Sequence, residues 1–240
     1  MSFTNMTGYV GIAERMPMEK LPVFMKRYFE TQGEAIQARK GVLDKYIGDV
    51  IEAFWTEPKV HAQLACECAL DQLAAMRDFH AWASSNGYPS PDIRIGVNSG
   101  LMSVGELGTE VLRNFTVMGD EVNLASRIEG LTKIFGAQIL LSGATRKGLS
   151  SDMVVRHIDR VRVKGKEGSV DIFELVCRKA DLAEQKAAFL ALYEQGMSEY
   201  LRGNFSAASK FFEQTKALIP ADGPSKVMVE RCMQYRQLPD

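Results

Sequence analysis

Almost no net charge remains when 29 Lys and Arg are set against 30 Asp and Glu, leaving a formal charge of −1 over 240 residues. No field of either sign points to nucleic acid or an acidic membrane, so any phosphate must be held by local groups. Metal-ligating side chains are equally scarce, with three histidines and four cysteines. Cys66 and Cys68 stand two apart, a spacing that does not bring helical side chains face to face, and no further Cys or His completes a tetrahedral set with them. They read as free buried thiols in a reducing compartment. No charged head followed by an apolar core opens the chain, which excludes a signal peptide pattern. No stretch approaches the roughly 20 apolar residues that a membrane span needs. These absences predict a cytoplasmic segment with no nucleic-acid partner and no membrane contact of its own. Met1-Ser2-Phe3-Thr4 nevertheless reads like the tail of a strand, so an upstream sensor or membrane region could precede it.

What is present is an ordinary globular composition, 46% hydrophobic and 25% charged. Residues 2–6 predict a short strand closed by Thr7-Gly8. Pro17 suits the first turn of a helix, and Leu21, Phe24, Met25, Tyr28, Phe29 and Ile36 carry helical spacing to about Arg39. Residues 42–55 read as two strands broken by the turn pair Gly48-Asp49. A long helix is expected over 60–85, a strand over 93–97 and a weaker one at 102–104. Residues 117–134 read as mostly helical, 138–142 as a strand, 143–149 as a short helix, and 154–163 and 170–176 as two strands. Alternating strands and helices predict an α/β or α+β domain ending near residue 178. From Leu182 the pattern is purely helical, with Gly196, Gly203, Ala208, Phe212 and Pro220 at the offsets of a tetratricopeptide helix pair. One such unit cannot bury its own face, so residues 182–237 are expected to pack on the main domain, on the helix around 225–237 or on a second chain.

Three stretches carry the chemistry: Phe3-Thr4-Asn5-Met6-Thr7-Gly8-Tyr9, Leu43-Asp44-Lys45-Tyr46-Ile47-Gly48-Asp49, and residues 115–127, Phe-Thr-Val-Met-Gly-Asp-Glu-Val-Asn-Leu-Ala-Ser-Arg. A carboxylate such as Asp49, held in a tight turn, suits a hard cation such as Mg²⁺. Lys45 lies four residues earlier, on the strand face shared with Ile47 and Asp49. Asn123 and Arg127 are one helical turn apart and share a face, where an amide and a guanidinium can hold a ribose and a phosphoryl group. Lys164 and Lys166, in a Gly-rich hairpin, offer further point charges. Taken singly, these residues also suit a plain turn, a solvated helix face and a hairpin.

Together and in this order they resemble the signature segments of the class III adenylyl/guanylyl cyclases, over about residues 2–178. The resemblance implies an α+β fold, a ferredoxin-like βαββαβ core with a C-terminal helical extension, working as a head-to-tail homodimer. It implies ATP as substrate and cyclic AMP and pyrophosphate as products, with two Mg²⁺ or Mn²⁺ ions per site. Asp49 and Asn5 occupy the metal-binding positions. Lys45 and Thr116 occupy the base-reading pair, and Thr there resembles the subgroup that includes bicarbonate-responsive enzymes. Asn123 matches the residue that positions the ribose, Arg127 the arginine that stabilises the transition state, and Arg94 and Lys164 contacts to the phosphates.

Asn5 departs from this pattern, because an aspartate is expected at its position. Three explanations stand: a natural loss that leaves a dimerisation or nucleotide-sensing module, an engineered change that traps substrate, or a weak enzyme that works better with Mn²⁺. Glu52 is a second oddity, interrupting the apolar run after Asp49. It reads as a glutamate at a strand edge, or else as a charge that partly replaces the one missing at residue 5. Two alternatives to an active cyclase follow: a catalytically silent cyclase-like module, and an interaction protein whose helical tail is the functional part.

Overall fold

The computed structural model describes residues 1–109, 113–163 and 168–237. Among the described residues nine strands run in chain order as β1 (Ser2–Met6), β2 (Val42–Ile47), β3 (Val50–Phe54), β4 (Ile93–Val97), β5 (Ser103–Gly108), β6 (Arg113–Met118), β7 (Ile139–Ser142), β8 (Met153–Arg162) and β9 (Ser169–Arg178). The helices are α1 (Tyr9–Arg15), α2 (Leu21–Ala38), α3 (His61–Ser85), α4 (Asp120–Phe135), α5 (Gly143–Lys147), α6 (Glu184–Leu201), α7 (Phe205–Leu218) and α8 (Gly223–Tyr235). Seven strands form one sheet in the order β2-β3-β1-β4-β7-β9-β8, and β5 and β6 pair as a separate hairpin. All pairings are antiparallel except β4 with β7. The α+β class expected from the sequence is the class observed.

Three apolar clusters hold the layers together. Helices α2 and α3 cover one face of the sheet with Phe24, Tyr28, Ile36, Met76 and Phe79 against Met6, Ile51, Ile93 and Ile95. In α3 the buried residues Ala62, Ala65, Ala69, Gln72, Met76, Phe79 and Ala83 recur at three- and four-residue spacing, which turns one face of this 25-residue helix to the strands. Helix α4 crosses the opposite face. Gly96 makes this possible: a Cβ there would stand 2.2 Å from Glu129 N and 2.6 Å from Ala125 O, so only glycine lets the helix backbone approach β4 this closely. A small cluster of Phe3, Phe54, Val117 and Ala125 fills the space between α4, the sheet and the β5–β6 hairpin.

The tail does not stand apart. Leu124, Ile128 and Phe135 of α4 share one core with Tyr193, Met197, Phe212, Met228 and Cys232 of the last three helices. Within the tail, Gly196 admits the Phe212 ring, which lies 2.9 Å from where a Cβ would be. Arg156 on β8 ties the two parts electrostatically. It pairs with Glu174 on β9, holds both oxygens of Asp222 at 2.6 and 3.0 Å, and lies 4.6 Å from the Tyr193 ring centroid.

Local assignments differ from the sequence reading in several places, among them the strand expected over 102–104, which runs from Ser103 to Gly108. The helix expected to open at Pro17 opens at Leu21, with Pro22 in its first turn, because residues 18–20 form a separate turn. The seven-residue α1 was not anticipated, since it buries no residue and has no apolar stripe to reveal it. Val117 and Met118, expected in a helix, belong to strand β6, and the helix begins at Asp120 after Gly119.

Candidate functional site

The face of the sheet beneath α4 collects the singled-out residues in two cross-strand rows. Residues opposite one another in an antiparallel pair point to the same side. In the first row Lys45 on β2 stands opposite Glu52 on β3, Glu52 opposite Phe3 on β1, and Phe3 opposite Gly96 on β4. In the second, Ile47 stands opposite Val50, and Asn5 opposite Arg94.

Asp49 lies in the β2–β3 turn, after Gly48 with φ +61°. Its Oδ2 accepts the Met6 amide at 3.1 Å, which anchors the carboxylate at the end of β1, one residue from Asn5. Burial raises the Asp49 carboxyl above the usual range, although its own amide, that of Met6 and the Arg94 charge pull it back. The site thus holds a desolvated negative charge that its surroundings only partly compensate. Arg94 lies 3.9 Å from Glu129 on α4, and its Nε is buried with no hydrogen-bond partner. Glu129 is also raised, by burial first and by Asp49 as well, against the pull of Arg94. Asn123 is exposed on α4, and Arg127, one turn on, keeps a buried Nη1 without a partner. Lys164 lies outside the described residues.

A tighter group forms at Lys45. Its Nζ donates to Thr116 Oγ1 at 2.8 Å, and Thr116 Oγ1 donates to Asp44 Oδ2 at 3.0 Å. Lys45 Nζ also stands 3.2 Å from Asp44 Oδ2. The β2–β3 register shifts between Leu43 and Lys45, so Asp44 is the extra residue of a bulge. A bulge re-aims side chains that would otherwise alternate, and here it brings the consecutive residues Asp44 and Lys45 to the same hydroxyl. The Asp44 side chain is fully enclosed, whereas that of Lys45 is 42% exposed and open to a ligand. Asp44 is the residue that sequence reasoning missed, and its only signal was its place beside Lys45. Glu52 corrects another expectation. It is not at a strand edge but buried in the strand next to the edge, 7% exposed, and it lies beside Asp44 and Lys45 rather than opposite Asn5.

For metal binding the donor set is thin. Asp49 supplies one carboxylate in need of a counter-charge, and Asn5 supplies an amide oxygen with no charge. Among the described residues no three His, Cys, Asp or Glu side chains converge to hold an ion. These residues fit one hard cation better than two.

A family model described as the adenylate and guanylate cyclase catalytic domain matches residues 1–176. A terminal-differentiation specific adenylate cyclase from Dictyostelium discoideum is 30% identical over 238 residues, covering 97% of this chain and 11% of that protein. An adenylate cyclase from Anabaena cylindrica is 35% identical over 180 residues, covering 72% of this chain and 36% of its own length. The chain thus spans well under half of either relative. Among solved structures, the adenylyl cyclase CyaB from P. aeruginosa superposes with a TM-score of 0.68 at 26% identity, over 76% of this chain and 95% of the other. Among the described residues no helix is long and apolar enough to cross a membrane.

Proposed function

The chain belongs to the adenylate and guanylate cyclase catalytic-domain family, and from that premise we propose that it converts ATP to 3′,5′-cyclic AMP and pyrophosphate. The observation that carries the choice of base is the Lys45–Thr116–Asp44 group. A hydroxyl has one donor and two lone pairs. Thr116 spends its donor on Asp44 and one lone pair on Lys45, which leaves a single acceptor unspent. Lys45 has a third N–H left. One acceptor beside one donor complements the amino group and ring nitrogen of adenine, whereas guanine presents the reverse order. The Thr at position 116 supports placing the chain in the Thr-type subgroup.

Asn123 is assigned to the ribose, and Arg94 and Arg127 to the phosphates, where a guanidinium can stabilise developing charge. Lys164 is assigned to the triphosphate by the motif alone. The ribose 3′-oxygen attacks the α-phosphorus and pyrophosphate leaves, without a covalent enzyme intermediate. Asp49, with Asn5, would hold Mg²⁺ or Mn²⁺, which when bound supplies positive charge for the alkoxide and the leaving group. The working unit is a head-to-tail homodimer in which one chain contributes Asp49 and Asn5 and its partner Lys45, Thr116, Asn123 and Arg127. Exposed Val104, Leu107, Phe115 and Met118 on the β5–β6 hairpin support that contact. Residues 1–178 form the catalytic unit, and 182–237 form a tetratricopeptide-like tail, a reading that the Gly196–Phe212 packing supports.

Asn5 favours a second reading, a nucleotide-binding module that turns over slowly or not at all. The discriminating experiment compares this chain with Asn5→Asp in Mg²⁺ and in Mn²⁺, at concentrations that favour the dimer. A second carboxylate should raise cyclic AMP production in Mg²⁺, because hard cations are held mainly by charged oxygen ligands. If both proteins bind ATP and neither makes cyclic AMP, the silent module replaces the enzyme.

A further inference from the structure

Behind the lysine and threonine proposed to meet the base stand two carboxyl groups that the reaction itself does not require. Asp44 is fully enclosed, and its Oδ1 is buried with no donor among the fixed N–H groups around it. Glu52 lies within hydrogen-bonding reach of Asp44 and is itself buried. Burial raises the Glu52 carboxyl above the usual range, Lys45 opposes the shift, and the adjacent Asp44 adds to it. Glu52 is thus the neighbouring group that faces the Asp44 carboxyl from β3. Two hydrogen bonds run inward in one direction, from Lys45 to Thr116 and from Thr116 to Asp44.

We propose that Asp44, backed by Glu52, is the positioning residue that sets purine selection, by drawing the Thr116 hydroxyl proton inward so that its oxygen meets the base only as an acceptor. The proposal rests on the reading that Lys45 and Thr116 receive the base. Without Asp44 the hydroxyl rotates freely. It can then donate to the O6 of guanine as readily as it accepts from the amino group of adenine, and the distinction between the two purines weakens. Asp44 needs no contact with the nucleotide to do this, and the β2 bulge is what brings it to Thr116.

The test is competition of ATP and of GTP against a fluorescent ATP analogue on the full chain with Mn²⁺, with cyclic product measured in parallel. Asp44→Ala should lower the preference for ATP over GTP by about tenfold, the worth of one misdirected hydrogen bond. Asp44→Asn should restore most of it, since its amide oxygen still accepts from Thr116 and its amide N–H faces Glu52. Glu52→Met is the second variant should Asp44→Ala fail to fold, and it should lower the preference about threefold in the same direction. In a Thr116→Val background Asp44→Ala should change the preference no further, because its effect passes through that hydroxyl. A purely structural role would weaken both nucleotides equally. A folded Asp44→Ala or Glu52→Met with an unchanged preference overturns the proposal, and so does an unaltered chain that binds ATP and GTP alike. A chain that prefers ATP, loses the preference as described and makes no cyclic product sinks the cyclase reading and leaves this inference standing.

Discussion

Replacing Arg156 by methionine tests how firmly the tail is built into the domain. The Arg156 side chain is 5% exposed, and its partners Glu174 and Asp222 are 16% and 6% exposed. Removing one member of a buried ion pair costs about 3–5 kcal/mol, because the partner is left uncompensated. The two carboxyls would respond differently. Burial already raises Glu174 above the usual range despite Arg156, so it can take up a proton and shed its charge. Burial raises Asp222 while bonds from Arg156 and Ser225 hold it low, so in the variant only the Ser225 bonds still oppose burial. Asp222 would keep the Ser225 amide at 2.9 Å and hydroxyl at 2.6 Å, which places the electrostatic loss near 3 kcal/mol. Losing the guanidinium over Tyr193 adds about 1 kcal/mol. The sum, about 4 kcal/mol, corresponds to a fall in Tm of about 8–16 °C for a chain of this size. Urea unfolding followed by tryptophan fluorescence and by far-UV circular dichroism measures it. A loss under about 1 kcal/mol, with both probes coincident, would refute the argument that the tail shares the domain's core.

Gly96→Ala places a methyl group against the backbone of α4 at Glu129 and Ala125, which cannot turn aside. It should cost up to about 3 kcal/mol and lower nucleotide turnover at least tenfold, read from melting curves and from kcat on protein still folded at the assay temperature. Burial pushes the Cys66 and Cys68 thiols up to about 12 and Cys232 up to about 11, whereas Cys177 is only half-buried. A thiol reagent at pH 8 should therefore modify Cys177 first and the other three only on unfolding, as mass spectrometry of the labelled peptides would report. Labelling of Cys66 at the rate of Cys177 would contradict that burial.

Much of this architecture is legible in the sequence because long periodic segments declare themselves. The spacing of apolar residues in α2 and α3 gives their faces, and Gly48-Asp49 gives the β2–β3 turn. What stays hidden depends on pairing. Thr116 sits in a run of apolar residues that leads straight into the α4 motif, and only the opposite strand β5 shows it to be extended. The bulge at Asp44 is a property of register with β3, so the sequence reading left Asp44 without a role. Glu52 reads as a strand-edge residue because charged side chains are rarely buried. The Lys45 ammonium that opposes the cost of burying Glu52, and the Asp44 carboxyl that adds to it, become visible only when β2 and β3 are laid side by side.

Gly136 and Gly223 come within van der Waals range where α8 meets the end of α4; a Cβ on Gly136 would lie 2.9 Å from the Gly223 Cα. The same helix carries Asn123 and Arg127 near its other end. From Asn123 to Phe135 is twelve residues, or about 18 Å of stiff rod at 1.5 Å per residue. A pivot of only about 5° at the gripped end would swing Asn123 by roughly 1.6 Å, and a displacement of about 1 Å is enough to cost about 100-fold in rate. The tail thus grips one end of the helix whose other end carries Asn123, the residue proposed to meet the ribose, with the contact at Gly96 between them.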